Sequence, residues 1–282
     1  MNTAGPEARE IVAIDELGSG SRVDRILERV RRQGFQSVEN LAQQFGVTTQ
    51  TIRRDVNLLC ERGLCRRRHG GIDMPPVAEN MAYAQRQVLN HDAKLRIARC
   101  VACLVPDEAS LFLGIGTTPE QCARALVHKR HLRVMTNNLH AALALSCNPS
   151  CELTIAGGRL RNLDCDVIAG EAHGFFRSFA VDIGIYGVGG VGDDGSLLDF
   201  DHDEAHMRGE LERHCRQRFL VLDRSKFGRG ATVRAGHITE ASVVFTDGPV
   251  PPAIEELLSR AGVRLVVANA DTESAATPVF PP

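Results

Sequence analysis

No stretch of this 282-residue chain comes near the roughly 18 consecutive apolar residues that a membrane span requires. Its first twenty residues carry acids where a secretory signal carries basic and apolar side chains, so a cytoplasmic protein is expected. The nine cysteines are an odd number scattered through apolar patterns, which suits reduced core thiols better than a disulfide framework. No solenoid-type repeat is present. A metal-binding motif is equally hard to find. His202 and His206 stand four apart in HDEAH, but the HExxH order is lacking and no third ligand is evident. Cys100 and Cys103 sit at helix spacing inside the apolar run IARCVACLV and read as core thiols, not a redox pair. Neither a metal nor a cofactor is expected.

Lysine is missing from one region, and there the absence is informative. Residues 21–74 hold eleven Arg and no Lys against six Asp or Glu, a balance of +5 in a chain whose net charge is −2. A compact basic module joined to a mildly acidic remainder is the distribution of a nucleic-acid reader with a separate regulatory domain.

The apolar rhythm divides the chain in the same place. Residues 1–20, with Gly5, Pro6, Gly18, Ser19 and Gly20, read as a flexible arm. From Ser21 the pattern is helical: Val23, Ile26, Leu27 and Val30 predict one helix stopped by Gly34. Ser37 can cap a second, with Val38, Leu41, Ala42 and Phe45 as its buried stripe, and Gly46 gives a tight turn. A third helix from about Thr49, with Ile52, Val56 and Leu59 inward, ends at Gly63. Leu64 to Ile72 has too many cations and glycines for a core strand, so a surface β-wing ending at Gly70 and Gly71 is expected. Pro75 and Pro76 close the module at 21–76, and 77–93 reads as a linker with room for a helical turn of its own.

Helices joined in this way present the first half of the second one to the major groove. Thr49, Gln50 and Arg53 can reach base edges, while Thr48, Thr51 and Arg54 suit phosphates. Arg66, Arg67, Arg68 and His69 form a basic clip for backbone or minor groove, and Ser37 joins the DNA-binding candidates. The expected partner is double-stranded operator DNA.

The string VENLAQQFGVTTQTIRRDVNLLCERGLCRRRHGG resembles the DNA-binding domain of the DeoR family of bacterial regulators, through its TIRRD recognition helix and the HGG of its wing. The likeness continues through GIGTTPE, VMTNNL, IAGG, DGSLLDFD and DRSKFGR to about Ala268.

In 94–270 short β-branched runs alternate with amphipathic helical ones: Leu111–Gly114, Leu132–Met135, Leu153–Ala156, Val181–Gly187, Phe219–Leu222, Val243–Thr246 and Leu265–Val267. This predicts an α/β domain with a mostly parallel sheet, followed by a flexible tail at 271–282. The loop at Gly116, Thr117 and Thr118 opens into a helix with Pro119 expected at its first position and a Thr118–Gln121 capping box, the arrangement of an anion site. Thr136, Asn137 and Asn138, then Gly157 and Gly158, then Asp223 to Lys226 follow other strands and could line one pocket. Lys226 would meet a phosphate, and Asn137, Asp199, Asp201 or Glu204 the ligand's hydroxyls.

The family resemblance implies that this domain is similar in fold to ribose-5-phosphate isomerase and binds a small phosphorylated effector beside the GTT loop and the SKF lysine. Glycerol 3-phosphate is the effector it implies, with another sugar phosphate as the alternative. Three classes stay open: a ligand-gated repressor acting as a homo-oligomer; an isomerase-like enzyme with Asp201 or Glu204 as base and Lys226 as electrophile; and a DNA binder whose second domain only assembles it. The first is the reading adopted, with binding and no turnover.

Overall fold

A computed structural model describes residues 22–61, 65–74, 81–168, 172 and 174–269. The expected arm, the tail, the helix stop at Gly63 and the prolines Pro75 and Pro76 lie outside the described residues. Contacts divide the chain into two units, Met1–Pro75 and Pro76–Pro282. No described helix is long and apolar enough to cross a membrane.

In the first unit α1 (Arg22–Gln33) buries Ile26, Leu27 and Val30 and is followed by Gly34 in the left-handed region. β1 (Gln36–Ser37) leads into α2 (Val38–Phe45), where Ser37 accepts a hydrogen bond from the Asn40 amide at 3.1 Å. Gly46, at φ 64°, ends that helix, because a residue with a Cβ is strained there. α3 (Thr49–Glu61) turns Ile52, Val56 and Leu59 into the core.

The wing departs from expectation. It does not end at Gly70 and Gly71: β2 (Arg66–Arg68) turns at His69 and Gly70 into β3 (Gly71–Asp73), which pairs antiparallel with both β2 and β1. Ile72 is fully buried, so the returning strand belongs to the core. Gly71 is required by close approach, since a Cβ there would stand 2.1 Å from the Gln36 carbonyl oxygen.

The second unit opens with α4 (Tyr83–Val88), inside the stretch expected as a linker, and α5 (His91–Leu104), which begins just before the expected start of the domain at Lys94. α4 is held by the buried Tyr83, whereas α5 buries Ala93, Ile97, Ala98, Val101 and Leu104 with Lys94 on the same inner face. Then come β4 (Ser110–Leu113), α6 (Thr117–Ala125), β5 (Arg133–Thr136), α7 (Leu139–Leu145), β6 (Glu152–Ile155) and β7 (Val181–Tyr186). They are followed by β8 (Gly190–Val191), β9 (Ser196–Asp199), α8 (His202–Arg213), β10 (Cys215–Val221), β11 (Val233–His237), β12 (Val243–Thr246), α9 (Pro252–Arg260) and β13 (Arg264–Val267).

Seven strands form one parallel sheet in the order β13-β12-β10-β7-β4-β5-β6. Its central strands are apolar on both faces: Leu111 and Leu113 enter one core cluster, Phe112 the other. A second sheet, β11-β9-β8, is antiparallel and was not expected. β8 has two residues, and β11 (VRAGH) carries charge and glycine in place of an apolar run, so neither announces itself. α6 begins at Thr117 with Gly116 as its cap and no side-chain cap bond, so Pro119 falls in third place and the Thr118–Gln121 capping box does not form.

Candidate nucleic-acid interface and ligand cavity

On the first unit, Thr49, Gln50, Arg53 and Arg54 are exposed along one face of α3, and Arg66, Arg67, Arg68 and His69 along the wing. Gln50, Arg53, Arg54, Asn57, Arg67 and Arg68 line a single groove between those elements. Arg67 donates to Asn57 Oδ1, tying the wing to the recognition helix, and Arg68 meets Asp73 at 3.0 Å. Thr48 caps α3, accepting from the Thr51 amide at 3.2 Å, and the two hydroxyls lie 2.9 Å apart. Within TIRRD the last residue has a different task. Asp55 faces inward and accepts from Arg22 Nε at 2.6 Å, which fixes α3 against α1 and leaves Arg53 and Arg54 outward.

On the second unit, a cavity lies at the carboxyl ends of the parallel strands, the usual ligand position in such sheets. Within it the centre of a water molecule can range over about 80 Å3. A lone water needs roughly 10–15 Å3 by the same measure, so a ligand of several heavy atoms fits. Gly116, Thr117 and Thr118 contribute the turn into α6, Asn137 follows β5, and Lys226 follows β10. Met81, Arg86 and Leu89 close one wall from α4 and its flanks.

Six cationic side chains, Arg86, Lys94, Arg161, Arg208, Lys226 and Arg229, line the cavity against four acidic ones, Asp166, Asp199, Glu204 and Asp223. The acids are engaged. Arg161 bonds Asp166 at 2.6 and 2.7 Å and Glu204 at 2.7 Å, and Arg208 bonds Asp199 at 3.1 Å. Burial raises the Asp166 and Glu204 carboxyls above their ordinary values, although Arg161 opposes it in both.

The two lysines differ in kind. Lys94 Nζ is anchored by the carbonyls of Arg86 and Leu89, the latter at 2.6 Å, and burial pushes it down to about 8. Lys226 Nζ has one long hydrogen bond, 3.5 Å to the Gly189 carbonyl, and no carboxylate ion pair among the described residues. Burial first, then repulsion from Arg229, pushes it down to about 7, with Asp223 opposing. Asn137 is also incompletely satisfied: its amide donates to the Val167 carbonyl at 3.0 Å, while its buried Oδ1 has no partner among the described residues.

Of the residues expected to meet the effector, the cavity brings together Gly116, Thr117, Thr118, Asn137, Asp199, Glu204, Asp223, Ser225 and Lys226. Thr136, Asn138, Gly157, Gly158 and Asp201 do not line it. The Thr136 hydroxyl donates to the Leu113 carbonyl at 2.7 Å inside the sheet. Asn138 caps α7 and donates to the carbonyls of Gly114 and Gly116 at 3.2 Å, which shapes the anion loop from behind. Gly157 and Gly158 are exposed. Asp201 caps α8, accepting from the amides of Asp203 and Glu204. A local helix signal had passed for a ligand signal there.

Arg86, Lys94, Arg161, Asp166 and Arg208 were missed. Only Lys94 carried a readable signal, as a charge three and four residues before Ile97 and Ala98 on the apolar face of a helix. The others reach the cavity from far along the chain.

Residues 22–76 match the model of the DeoR-like helix-turn-helix domain, and residues 89–248 that of the DeoR C terminal sensor domain. The chain is 40% identical to the glycerol-3-phosphate regulon repressor of Escherichia coli K12 over 86% of its own length and 97% of that protein. It is 42% identical to the glycerol-3-phosphate regulon repressor of Haemophilus influenzae over 88% of its length and 96% of that protein. Ribose 5-phosphate isomerase A from Methanocaldococcus jannaschii aligns with a TM-score of 0.37 at 17% identity, over 49% of this chain and 55% of that one, a likeness too slight to build on. With a DNA-reading helix and a wing inside one matched domain and a ligand-sized cavity lined mostly by the other, the chain belongs to the DeoR family of helix-turn-helix transcriptional regulators.

Proposed function

We propose that this chain is a repressor that binds double-stranded operator DNA as a homo-oligomer and releases it when a small phosphorylated polyol fills the sensor cavity. Glycerol 3-phosphate is the named effector, on the strength of the relatives' names, with another sugar phosphate as the alternative. Thr49, Gln50 and Arg53 read base edges. Thr48, Thr51, Arg54, Ser37 and the wing residues Arg66, Arg67, Arg68 and His69 serve the phosphates.

The observation that carries the effector reading is Lys226, whose side chain has no carboxylate partner among the described residues, in a cavity with two more cations than acids. An anion placed against it and the start of α6 gains charge-assisted hydrogen bonds and the favourable end of the helix dipole. The unpartnered Asn137 Oδ1 then accepts from a ligand hydroxyl. Such a ligand acts on DNA binding only by preferring the DNA-incompetent arrangement.

Turnover is not part of the proposal. An isomerase needs a free carboxylate as base, and Glu204 is held by Arg161 while Asp201 caps a helix.

The test is thermal unfolding of the purified chain with a panel of phosphate esters led by glycerol 3-phosphate, any hit being repeated as a titration of operator binding. A selective rise in melting temperature together with release of DNA is expected. No shift with any ester would overturn the effector reading and leave the DNA reader in place.

A further inference from the structure

α4 buries one side chain, Tyr83, and its other fixed points are polar bonds to the elements that wall the cavity. Tyr83, at 2.7 Å, and Gln87, at 3.1 Å, both donate to Glu120 in the first turn of α6. Arg86 pairs with Asp164, which stands between the cavity residues Arg161 and Asp166. Just after α4, Asn90 donates to Asp223 Oδ1 at 2.8 Å and to Ser225 Oγ at 3.1 Å, both in the turn that carries Lys226. A helix held in this way shifts as a unit without opening an apolar core.

Asn90 is also the joint between α4 and α5. Its φ of 52° lies in the left-handed region, which asparagine tolerates better than most residues, and its side-chain bonds hold that joint to the 223–226 turn.

Charge gives the docked position its meaning. Burial first, then Arg229, push the Lys226 amine down; Asp223 opposes them, and Arg86 and Lys94 add to the repulsion. Lys94 is in turn bonded to the Arg86 and Leu89 carbonyls at the end of α4. Docking α4 therefore brings positive charge toward Lys226, and a phosphate dianion in the cavity relieves the repulsion. Such an anion binds the docked form more tightly than an undocked one, and by reciprocity it holds α4 down.

We propose that α4 is a strap through which the filled cavity controls operator release: an anion at Lys226 keeps α4 docked through the Asn90–Asp223 bond, and the docked strap is the arrangement that does not bind DNA. The chain enters the second unit at α4, so a change there reaches the DNA-binding unit along the backbone. The strap rests on the effector reading above and supplies its regulation.

The test compares the full chain with Asn90→Gly, using glycerol 3-phosphate and ribose 5-phosphate as probes. Glycine keeps the left-handed backbone and removes only the side-chain bonds to Asp223 and Ser225. By calorimetry the variant is expected to bind ester roughly tenfold more weakly. The ester concentration that releases an operator duplex, selected by the parent chain from random DNA, is expected to rise by a similar factor. Affinity for that duplex without ester is expected not to fall. In the parent chain, hydrogen exchange of the α4 amides is expected to slow when ester binds. A variant that loses melting temperature alone, with ester affinity and release unchanged, would overturn the strap and leave the effector reading standing. So would α4 exchange in the parent chain that is indifferent to bound ester. Failure of both esters to bind the parent chain overturns the strap together with the effector reading.

Discussion

The Tyr83 hydroxyl donates to Glu120 Oε2 at 2.7 Å, joining two buried side chains 37 residues apart. The bond pins α4 to the first turn of α6, the helix that opens from the Gly116 loop. Burial raises the Glu120 carboxyl, but hydrogen bonds from Tyr83, Gln87 and Arg124 outweigh it and hold the group below its ordinary range.

Tyr83→Phe removes one hydrogen bond to a buried carboxylate and is expected to cost roughly 1.5–3 kcal/mol, a melting-temperature loss of several degrees. A depressed carboxyl contributes stability above its unfolded value, lost as pH falls through its folded value. The gap between parent and variant is therefore widest at neutral pH and closes below about pH 4. Melting curves across that range check it, and a gap constant with pH would separate the loss from Glu120.

Arg53 and Arg67 line one groove, but they belong to different elements. Arg53→Ala is expected to weaken operator binding by roughly 1–3 kcal/mol and to relax sequence choice, whereas Arg67→Ala weakens binding on every sequence alike and flattens its salt dependence. Binding to operator and scrambled duplexes at two or more salt concentrations distinguishes them. Equal effects from both would refute the division between base and backbone contacts.

With Lys226 pushed down to about 7, effector affinity is expected to fall as pH rises through neutrality. The protonated amine is the form that binds a phosphate, so binding takes up a proton and weakens where the free amine prevails. Calorimetric titration of glycerol 3-phosphate between about pH 6 and 9 measures this, with the fall read above about pH 7, where the ester itself is mostly dianionic. In Lys226→Met the remaining inflection is expected near 8, set by Lys94. A flat profile for the parent chain would remove Lys226 from the phosphate site.

Much of the fold was legible because it rests on local rules. Val243–Thr246 appears as β12 with the predicted bounds, and Ile52, Val56 and Leu59 turn inward as their spacing demands. The short antiparallel sheet was not legible, since β8 has two residues and its pairing is made with β9 across a turn. Nor was α4. Its burial depends on Tyr83 meeting Glu120 and Arg86 meeting Asp164, partners that no periodicity reveals.

By itself the sequence determined the basic module, its recognition helix, the alternation that builds a parallel sheet and the glycine turn before α6. Helix and strand periods, caps and charge segregation act over a few residues and survive in one dimension. Tertiary structure decided which polar residues share a cavity: it admitted Arg86, Lys94 and Arg161, and it assigned Asp201 and Asn138 to helix caps. The physical reason is that a polar side chain takes its role from the partner that satisfies it. In a doubly covered parallel sheet those partners come from strand ends that are neighbours in space and distant along the chain.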